Sequence, residues 1–510
     1  MTTFFRNLAM PIILLVASGV TAFARPAVYN VKDYGAKADG RSLDTKAIDK
    51  AITAASAAGG GTIFFPAGDY LAVTIHLKSN VGLYLDHGAT IIAATPTEGV
   101  QYDSPEKSIN SIYQDYGHSY FHNSLIVGEN LHDISITGPG RIWGKGLLRQ
   151  EAKSDQRDGY GNKTIALKLC RNVILKDFTV AHGGWFCFLL TGVDNLTMDN
   201  LKMDTNRDGI DLISSKNVHI TNCSVNSPND DGIVLKSDFA LNHPRSLENV
   251  TISDCTVSGY KEGSFLDGTY IKDRKAPTGR IKIGTESNGG FKNIAITNCT
   301  FDYCRGLALE TVDGAALEDI TISNITMRDI CNAPLFIRLG ARMRGPKDFP
   351  YSQLRRILIS NIIAYNVTSD QGAIISGIPG HDIEDLTLSN INIYFKGGGT
   401  KSQAANQVPA EIKSYPEPER FGITPSYGFF IRNVKGLRMN DISVHFLKDD
   451  LRPAFVLDSV EAASLYNINA QKVKDPSVFT FALRSVKDFS LGNSEPLGDI
   501  KLSNVMSKEL

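Results

Sequence analysis

The sequence predicts an all-β protein built as a parallel β-helix, a solenoid of short strands stacked coil on coil. Three observations carry that reading. One seven-residue unit recurs nine times, its apolar residues alternate with period two, and the shortest interval between successive units is 22 residues.

The units are Asn172-Val-Ile-Leu-Lys-Asp-Phe, Asn195-Leu-Thr-Met-Asp-Asn-Leu, Asn217-Val-His-Ile-Thr-Asn-Cys, Asn249-Val-Thr-Ile-Ser-Asp-Cys and Asn293-Ile-Ala-Ile-Thr-Asn-Cys. Asp319-Ile-Thr-Ile-Ser-Asn-Ile, Arg356-Ile-Leu-Ile-Ser-Asn-Ile, Asp385-Leu-Thr-Leu-Ser-Asn-Ile and Gly436-Leu-Arg-Met-Asn-Asp-Ile continue them. Alternation marks a half-buried strand, and the Asn or Asp that follows marks a turn, so each unit reads strand, turn, strand. Starts lie 23, 22, 32, 44, 26, 37, 29 and 51 residues apart, a minimal coil near 22 with loops inserted elsewhere. One short strand cannot bury its apolar face alone, so the units must stack. A propeller blade needs four strands in about 40 residues, and a leucine-rich horseshoe needs Leu where this chain has Val, Ile, Thr and Cys. The recurrent asparagines, Asn222, Asn298, Asn324, Asn361 and Asn390 among them, are expected inside turns, laddered up the stack and bonding backbone of their own and neighbouring coils.

Residues 1–24 read as a cleaved secretory signal: Arg6, an apolar run from Met10 to Val20, and Ala22-Phe23-Ala24 before Arg25-Pro26. The run is about half the roughly 20 residues that a spanning helix needs. The protein is therefore expected to be secreted or periplasmic. Residues 25–75 are expected to form an N-terminal cap leading into the solenoid, and 76–510 the β-helix itself. In the cap, Asp44 can start a helix whose apolar positions Ala47, Ile48, Ala51, Ile52 and Ala55 follow the helical period until Gly59-Gly60-Gly61. Such a helix would plug the end of the core and hide its strand edge. Insertions at 101–121, 145–165, 259–279, 340–352 and 394–429 are long enough to be functional, and emerging on one side they would wall a groove suited to a polymer.

Lys plus Arg number 53 against 54 Asp plus Glu, so no bulk positive field recruits nucleic acid or an anionic membrane. Seven cysteines are an odd count with no Cys-x-x-Cys pair, and Cys223, Cys255 and Cys299 share one place in the repeat, which predicts stacked buried thiols.

Acidic residues concentrate in Asn206-Arg-Asp208-Gly-Ile-Asp211 and in Asn229-Asp230-Asp231-Gly-Ile-Val-Leu-Lys236. From Asp208 to Asp230 is 22 residues, one minimal coil, so the two are expected at neighbouring levels about 4.8 Å apart. Asp-Gly is also a turn former, and either motif alone would be read as a turn. Together they place three carboxylates at one cleft, where repulsion keeps a proton on one while another stays ionised. That asymmetry is what glycosidic cleavage requires, with acid and base roughly 6.5 to 9.5 Å apart for inversion or about 5 to 5.5 Å for retention. No six- to eight-oxygen calcium cage is discernible.

From Tyr29-Asn-Val-Lys-Asp-Tyr-Gly-Ala to the last repeats, the chain resembles glycoside hydrolase family 28, the polygalacturonase and rhamnogalacturonase group. Asn206-Arg207-Asp208-Gly209 matches its Asn-Thr-Asp-Gly motif with Arg207 in place of Thr, and Asn229-Asp230-Asp231 matches without change. The resemblance implies a right-handed, single-stranded, pectin-lyase-like solenoid that hydrolyses a pectic polysaccharide without a cofactor; no metal is expected, and the protein is expected to be a monomer. It implies Asp230 as general acid, with Asp208 and Asp231 activating water for inversion. Trp185 falls where similar proteins place an aromatic, open to a sugar-stacking or a core role.

Two departures stand out. The family's Gly-His-Gly should fall near Thr278-Gly279-Arg280, so its histidine is absent. Its Arg-Ile-Lys clamp should fall at Ala308-Leu309-Glu310, putting an acid where a cation is expected. Arg280 and Lys282, one coil earlier and on one strand face, either replace that clamp or form a solvated face; Lys236 is a further substrate-binding candidate. Without a carboxylate clamp, Glu310 would accept hydroxyls of a neutral sugar, and rhamnogalacturonan or another decorated glycan gains ground. A calcium-dependent lyase on the same fold and a non-catalytic glycan-binding β-helix are the rival functions.

Overall fold

The computed structural model describes residues 27–115, 117–149 and 157–510. The expected signal segment therefore lies outside the described residues. What is described is a right-handed parallel β-helix. Each coil gives one strand to each of three parallel sheets, as in Arg171–Lys176, Thr179–Ala181 and Phe186–Thr191, which pair with Asp194–Asp199, Lys202–Asp204 and Ile210–Ile213 of the next. In later coils the first two merge into long bent strands such as Gln353–Val367. The last strand, Ile500–Glu509, closes the stack antiparallel to Phe481–Gly492.

The period-two pattern becomes burial directly. In Lys216–Thr221 the Val218 and Ile220 side chains enter the core while His219 faces out. Burying one such side chain fully contributes about 1.5–3 kcal/mol, and the coils share one continuous core running from Val31 to Val505. Cys223, Cys255 and Cys299 sit in that core as free thiols. The neighbouring Cys223 thiol and burial push Cys255 up to about 12, out of reach of thiolate chemistry.

Each repeat unit is bounded by two left-handed residues five positions apart. Asn172 and Asp177, Asn195 and Asn200, Asn217 and Asn222, Asn293 and Asn298, and Asp385 and Asn390 all have φ between 51° and 71°. Asn and Asp tolerate this region because their short polar side chains bond locally, which is why they fill the sixth position of every unit and the first position of most. The ladder differs from expectation in its partners. Asn324 donates to Asn298, Asn361 to Asn324 and Asn390 to Asn361, amide to amide, at 3.0, 3.0 and 2.8 Å on an exposed edge. A second exposed ladder climbs from Asp133 through Asn172, Asn195, Asn217 and Asn249 to Asn293. The bend aims each amide along the stack rather than at the backbone.

The helix spans Thr45–Ala57 and buries Ala47, Ile48, Ala51, Ile52 and Ala55. Asp44 stands at its N-cap, but its carboxylate turns back to the amides of Lys37 and Ala38 at 2.7 and 3.0 Å and makes no cap bond. The parallel sheets begin at Val28–Asn30, which pairs with Gly61–Phe65, so segment 25–75 supplies strands as well as the helix.

A single ladder residue isolates the two contributions. Asn361→Ala is expected to cost about 1–3 kcal/mol in urea unfolding, combining left-handed strain with the lost amide bonds, and Asn361→Gly, which relieves the strain, clearly less.

Candidate active site

The site forms on the third sheet, where the chain turns into Ile210–Ile213, Ile233–Ser237 and Ile281–Ser287. Ile210 pairs with Ile233, and Ile233 with Ile281, so the in-register partner of Asp208 is Asp231, not Asp230. The sequence interval of 22 was one short of this coil. Asp230 is the additional residue, set beside the column by the Asp-Asp pair. Carboxylate oxygens of Asp208, Asp230 and Asp231 all lie within 4.8 Å of one another. They line a cavity of ≈ 270 Å³ together with Asp115, His118, Trp185, Phe186, Arg207, Lys236, Lys282 and Tyr415.

The three carboxyls sit in unlike fields. Burial, with Asp211 and Asp230 close by, lifts Asp208 well above the ordinary carboxylate range. Burial and Asp231 also raise Asp230, against the opposing pull of Arg207, Lys236 and Lys282. Burial works against the charge on Asp231 too, but Lys282 and Arg280 outweigh it and hold that carboxyl below the usual range. The Arg280 Nε donates to Asp231 Oδ1 at 2.8 Å, and Lys282 Nζ lies 3.4 Å from Oδ2. One group is thus kept ionised beside two that favour their protons, the division that acid and base roles require.

The remaining candidates are placed unevenly. Lys282 reaches the cavity, 3.2 Å from the Tyr415 hydroxyl. Arg280 is spent on structure: 1% exposed, it bonds Asp231 and, at 3.0 Å, Glu417, which also pairs with Arg305 at 2.8 Å. The two cations therefore do not act as a joint clamp facing the substrate, nor as a solvated face. Glu310 is fully buried 3.4 Å from Lys282 and does not line the cavity, so it is not placed to accept a sugar hydroxyl there. Lys236 lies 2.8 Å from Asp211 and 2.9 Å from His118 Nε2. Trp185 is nearly buried and lines the cavity under the Arg207 guanidinium, 3.8 Å from the ring centroid.

Sequence reasoning missed Asp115, His118, Tyr415 and Glu417. All come from insertions 101–121 and 394–429, where no repeat predicts placement; their loop length was the one signal. Each loop is tied down by buried charge. Asp115 pairs with Arg344 at 2.7 Å, His118 lies 3.3 Å from Glu286, and Arg338 and Arg432 donate to the carbonyls of Val408, Pro409, Ala410 and Glu411. Loop 259–279 is held by Asp204, which accepts from the amides of Gly263, Phe265 and Leu266 at 3.0 Å.

Among the described residues, two groups bring ligand atoms within 4.8 Å of one another, the aspartate trio and Asp115, His118 and Glu286. In both, an internal cation already supplies the neutralising charge: Lys282 for the first, and Lys236, 3.8 Å from Glu286, for the second.

The chain is similar to known proteins over most of its length. The family model described as glycosyl hydrolases family 28 matches residues 109–260, and one described as rhamnogalacturonase A/epimerase, pectate lyase-like, matches residues 28–137. An exo-poly-alpha-D-galacturonosidase of Dickeya chrysanthemi is 30% identical, with 79% of this chain and 74% of that protein covered. A probable polygalacturonase of Vitis vinifera is 25% identical over 72% of this chain and 74% of its own. Among solved structures, the family 28 exopolygalacturonase of Yersinia enterocolitica shares the fold with a TM-score of 0.63 at 18% identity, covering 89% of this chain and 79% of that one.

Glu310 offers a check on the buried charge network. Burial lifts its carboxyl to about 7 from 4.5, against the pull of Lys282 and Arg280. A carboxyl with a raised folded-state value binds more protons folded than unfolded, so its contribution is fully present below 4.5 and is lost as pH rises through about 7. Stability should fall less steeply across that window in Glu310→Gln than in the wild type, measured by urea unfolding at a series of pH values.

Proposed function

The chain belongs to glycosyl hydrolase family 28, and on that premise we propose that it is an exported, monomeric hydrolase that removes anionic sugars from the end of an α-linked, galacturonan-type pectic chain. The observation that carries this reading is the aspartate trio at a small cavity, one carboxyl held ionised and two inclined to hold protons. Arg207, Lys236 and Lys282 line the same cavity, which suits a sugar bearing a carboxylate. Action at a chain end is supported by the names of relatives such as the Dickeya enzyme and by size. At ≈ 270 Å³ the cavity is below the roughly 300–1,000 Å³ of sites that enclose drug-sized ligands. Export is supported by Arg6, the apolar run and Ala22-Phe23-Ala24. Among the described residues no helix is long and apolar enough to cross a membrane.

In this mechanism Asp230 gives its proton to the glycosidic oxygen as the bond from that oxygen to the anomeric carbon breaks. Asp231, anionic beside Lys282 and Arg280, takes a proton from a water whose oxygen bonds to the anomeric carbon. Asp208, kept neutral by burial, orients the water by hydrogen bonding. The outcome proposed is inversion, as the family resemblance implies. A second reading, retention through a covalent intermediate, is favoured by one observation: oxygens within 4.8 Å are closer than the roughly 6.5–9.5 Å common among inverting enzymes. Proton NMR of the first product formed decides between them, β-anomer for inversion and α-anomer for retention.

Three measurements test the function. Incubation with polygalacturonic acid should release monomer or dimer from the first time point, without unsaturated product and unaffected by a chelator; long oligomers as first products would refute action at the end. Asp230→Asn should lower kcat by at least about 100-fold with the fold retained. The pH profile of kcat/KM should be bell-shaped, its acid limb below the usual Asp range because Asp231 is depressed and its alkaline limb above it because Asp230 is raised.

A further inference from the structure

The chain holds two tryptophans, and one of them, Trp185, lines the cavity. The other, Trp143, ends the second-sheet strand Arg141–Trp143 and is half-buried. Its in-register neighbours are Ile92 one coil below and Ala181 one coil above, so the next coil sets no more than a methyl group beside the ring. Two cations flank it, Arg141 Cζ 5.4 Å and Lys145 Nζ 5.0 Å from the ring centroid. Both are exposed, and among the described residues neither has a carboxylate partner. Lys202, also exposed, stands two coils above Arg141 in register through Thr179. The backbone leads from this ring to the cavity. Gly144 N donates to Ala181 O at 2.8 Å, and Arg149 O accepts from Asn206 Nδ2 at 3.0 Å, so segment 143–149 climbs from Trp143 to the residue before Arg207. Arg149 is fixed by Glu262 at 3.3 Å, which also pairs with His182 at 2.9 Å. Trp143 lies two coils below the coil of Arg207, about 10 Å along the stack. Arg207 and Asp230 keep 20% and 28% of their side-chain exposure, so the cavity is open where they stand.

Resting on the pectic, chain-end reading above, we infer that Trp143 with Arg141 and Lys145 is a second subsite, outside the cavity, which holds the uncleaved part of the anionic glycan. At ≈ 270 Å³ the cavity cannot enclose a long chain, and its open side at Arg207 leads toward Trp143. A chain leaving there meets a strip of cations, Arg149, Lys202, Lys145 and Arg141, with an aromatic ring set in it. An indole offers an apolar face to the C–H side of a sugar, while ammonium and guanidinium groups pair with its carboxylate. A guanidinium over a ring keeps its in-plane N–H donors free, so the glycan can supply the missing counter-charge without displacing Arg141. The subsite stands clear of the aspartate trio. It therefore acts on affinity for long chains and leaves turnover of the shortest ones unchanged.

The test compares wild type, Trp143→Ala, Trp143→Phe and the double variant Arg141→Gln with Lys145→Gln on polygalacturonate and on the shortest galacturonate oligomer that the wild type cleaves. Trp143→Ala should raise KM for the polymer about 5-fold or more, the loss of the ring and of the cations gathered on it, with kcat on the polymer and both constants on the short oligomer unchanged. Trp143→Phe should recover part of the polymer affinity. The double variant should raise the polymer KM about 3-fold and flatten its rise with added salt, because exposed cations are screened. Both of its positions are exposed, so it reports on the subsite even where Trp143→Ala fails to fold. Equal losses on polymer and short oligomer, or no loss on either, would overturn the subsite and leave the pectic reading standing. A wild type inert on every galacturonate would overturn the pectic reading and the subsite with it.

Discussion

Successive coils of a parallel β-helix are hydrogen-bonded about 4.8 Å apart, so a charge at one position faces whatever occupies that position one coil up or down. At that separation in a buried setting, an unpaired charge is costly and a like-charged neighbour prevents ionisation. The site is arranged under this constraint. Asp208 and Asp231 are stacked in register with Asp230 beside them, and the coil beyond brings Arg280 and Lys282 against Asp231. Lys282 and Arg280 hold Asp231 ionised, and burial among carboxylates favours the proton on Asp208 and Asp230. The unlike proton affinities of the trio thus follow from which side of the stack the cations occupy.

The same constraint accounts for the other cations. Arg280 divides its donors between Asp231 and Glu417, and Glu310 lies beneath it and Lys282. The pair supports a buried acidic layer, and of the two only Lys282 reaches the cavity. On the first-sheet side, where the edge is exposed, neutral asparagine amides ladder instead. An amide both donates and accepts, so it repeats coil after coil without accumulating charge.

The loops complete what the coils begin. They are fastened by ionic or charge-assisted bonds to segments far away in sequence, as Asp115 is to Arg344 and Glu417 to Arg280 and Arg305. His118 and Tyr415 reach the cavity from insertions almost 300 residues apart in this way. A groove that the bare solenoid would leave open becomes a small pocket.

The sequence by itself determined the solenoid, the helix over Thr45–Ala57, the turn after each unit's second apolar residue and the aspartate trio, because all are local or periodic. Alternation sets the buried face, Asn and Asp set the bends, and residues one coil apart must meet. Only the tertiary structure decided the register of Asp208 with Asp231, since a coil one residue longer than the minimum moves the partner by one. It alone placed His118 and Tyr415, which sit in insertions with no period to project. It also sent Arg280 into an ion-pair network and Arg207 onto Asp230 and Trp185. A charged side chain takes the partner that best offsets its desolvation, and that partner is defined by proximity in the folded chain.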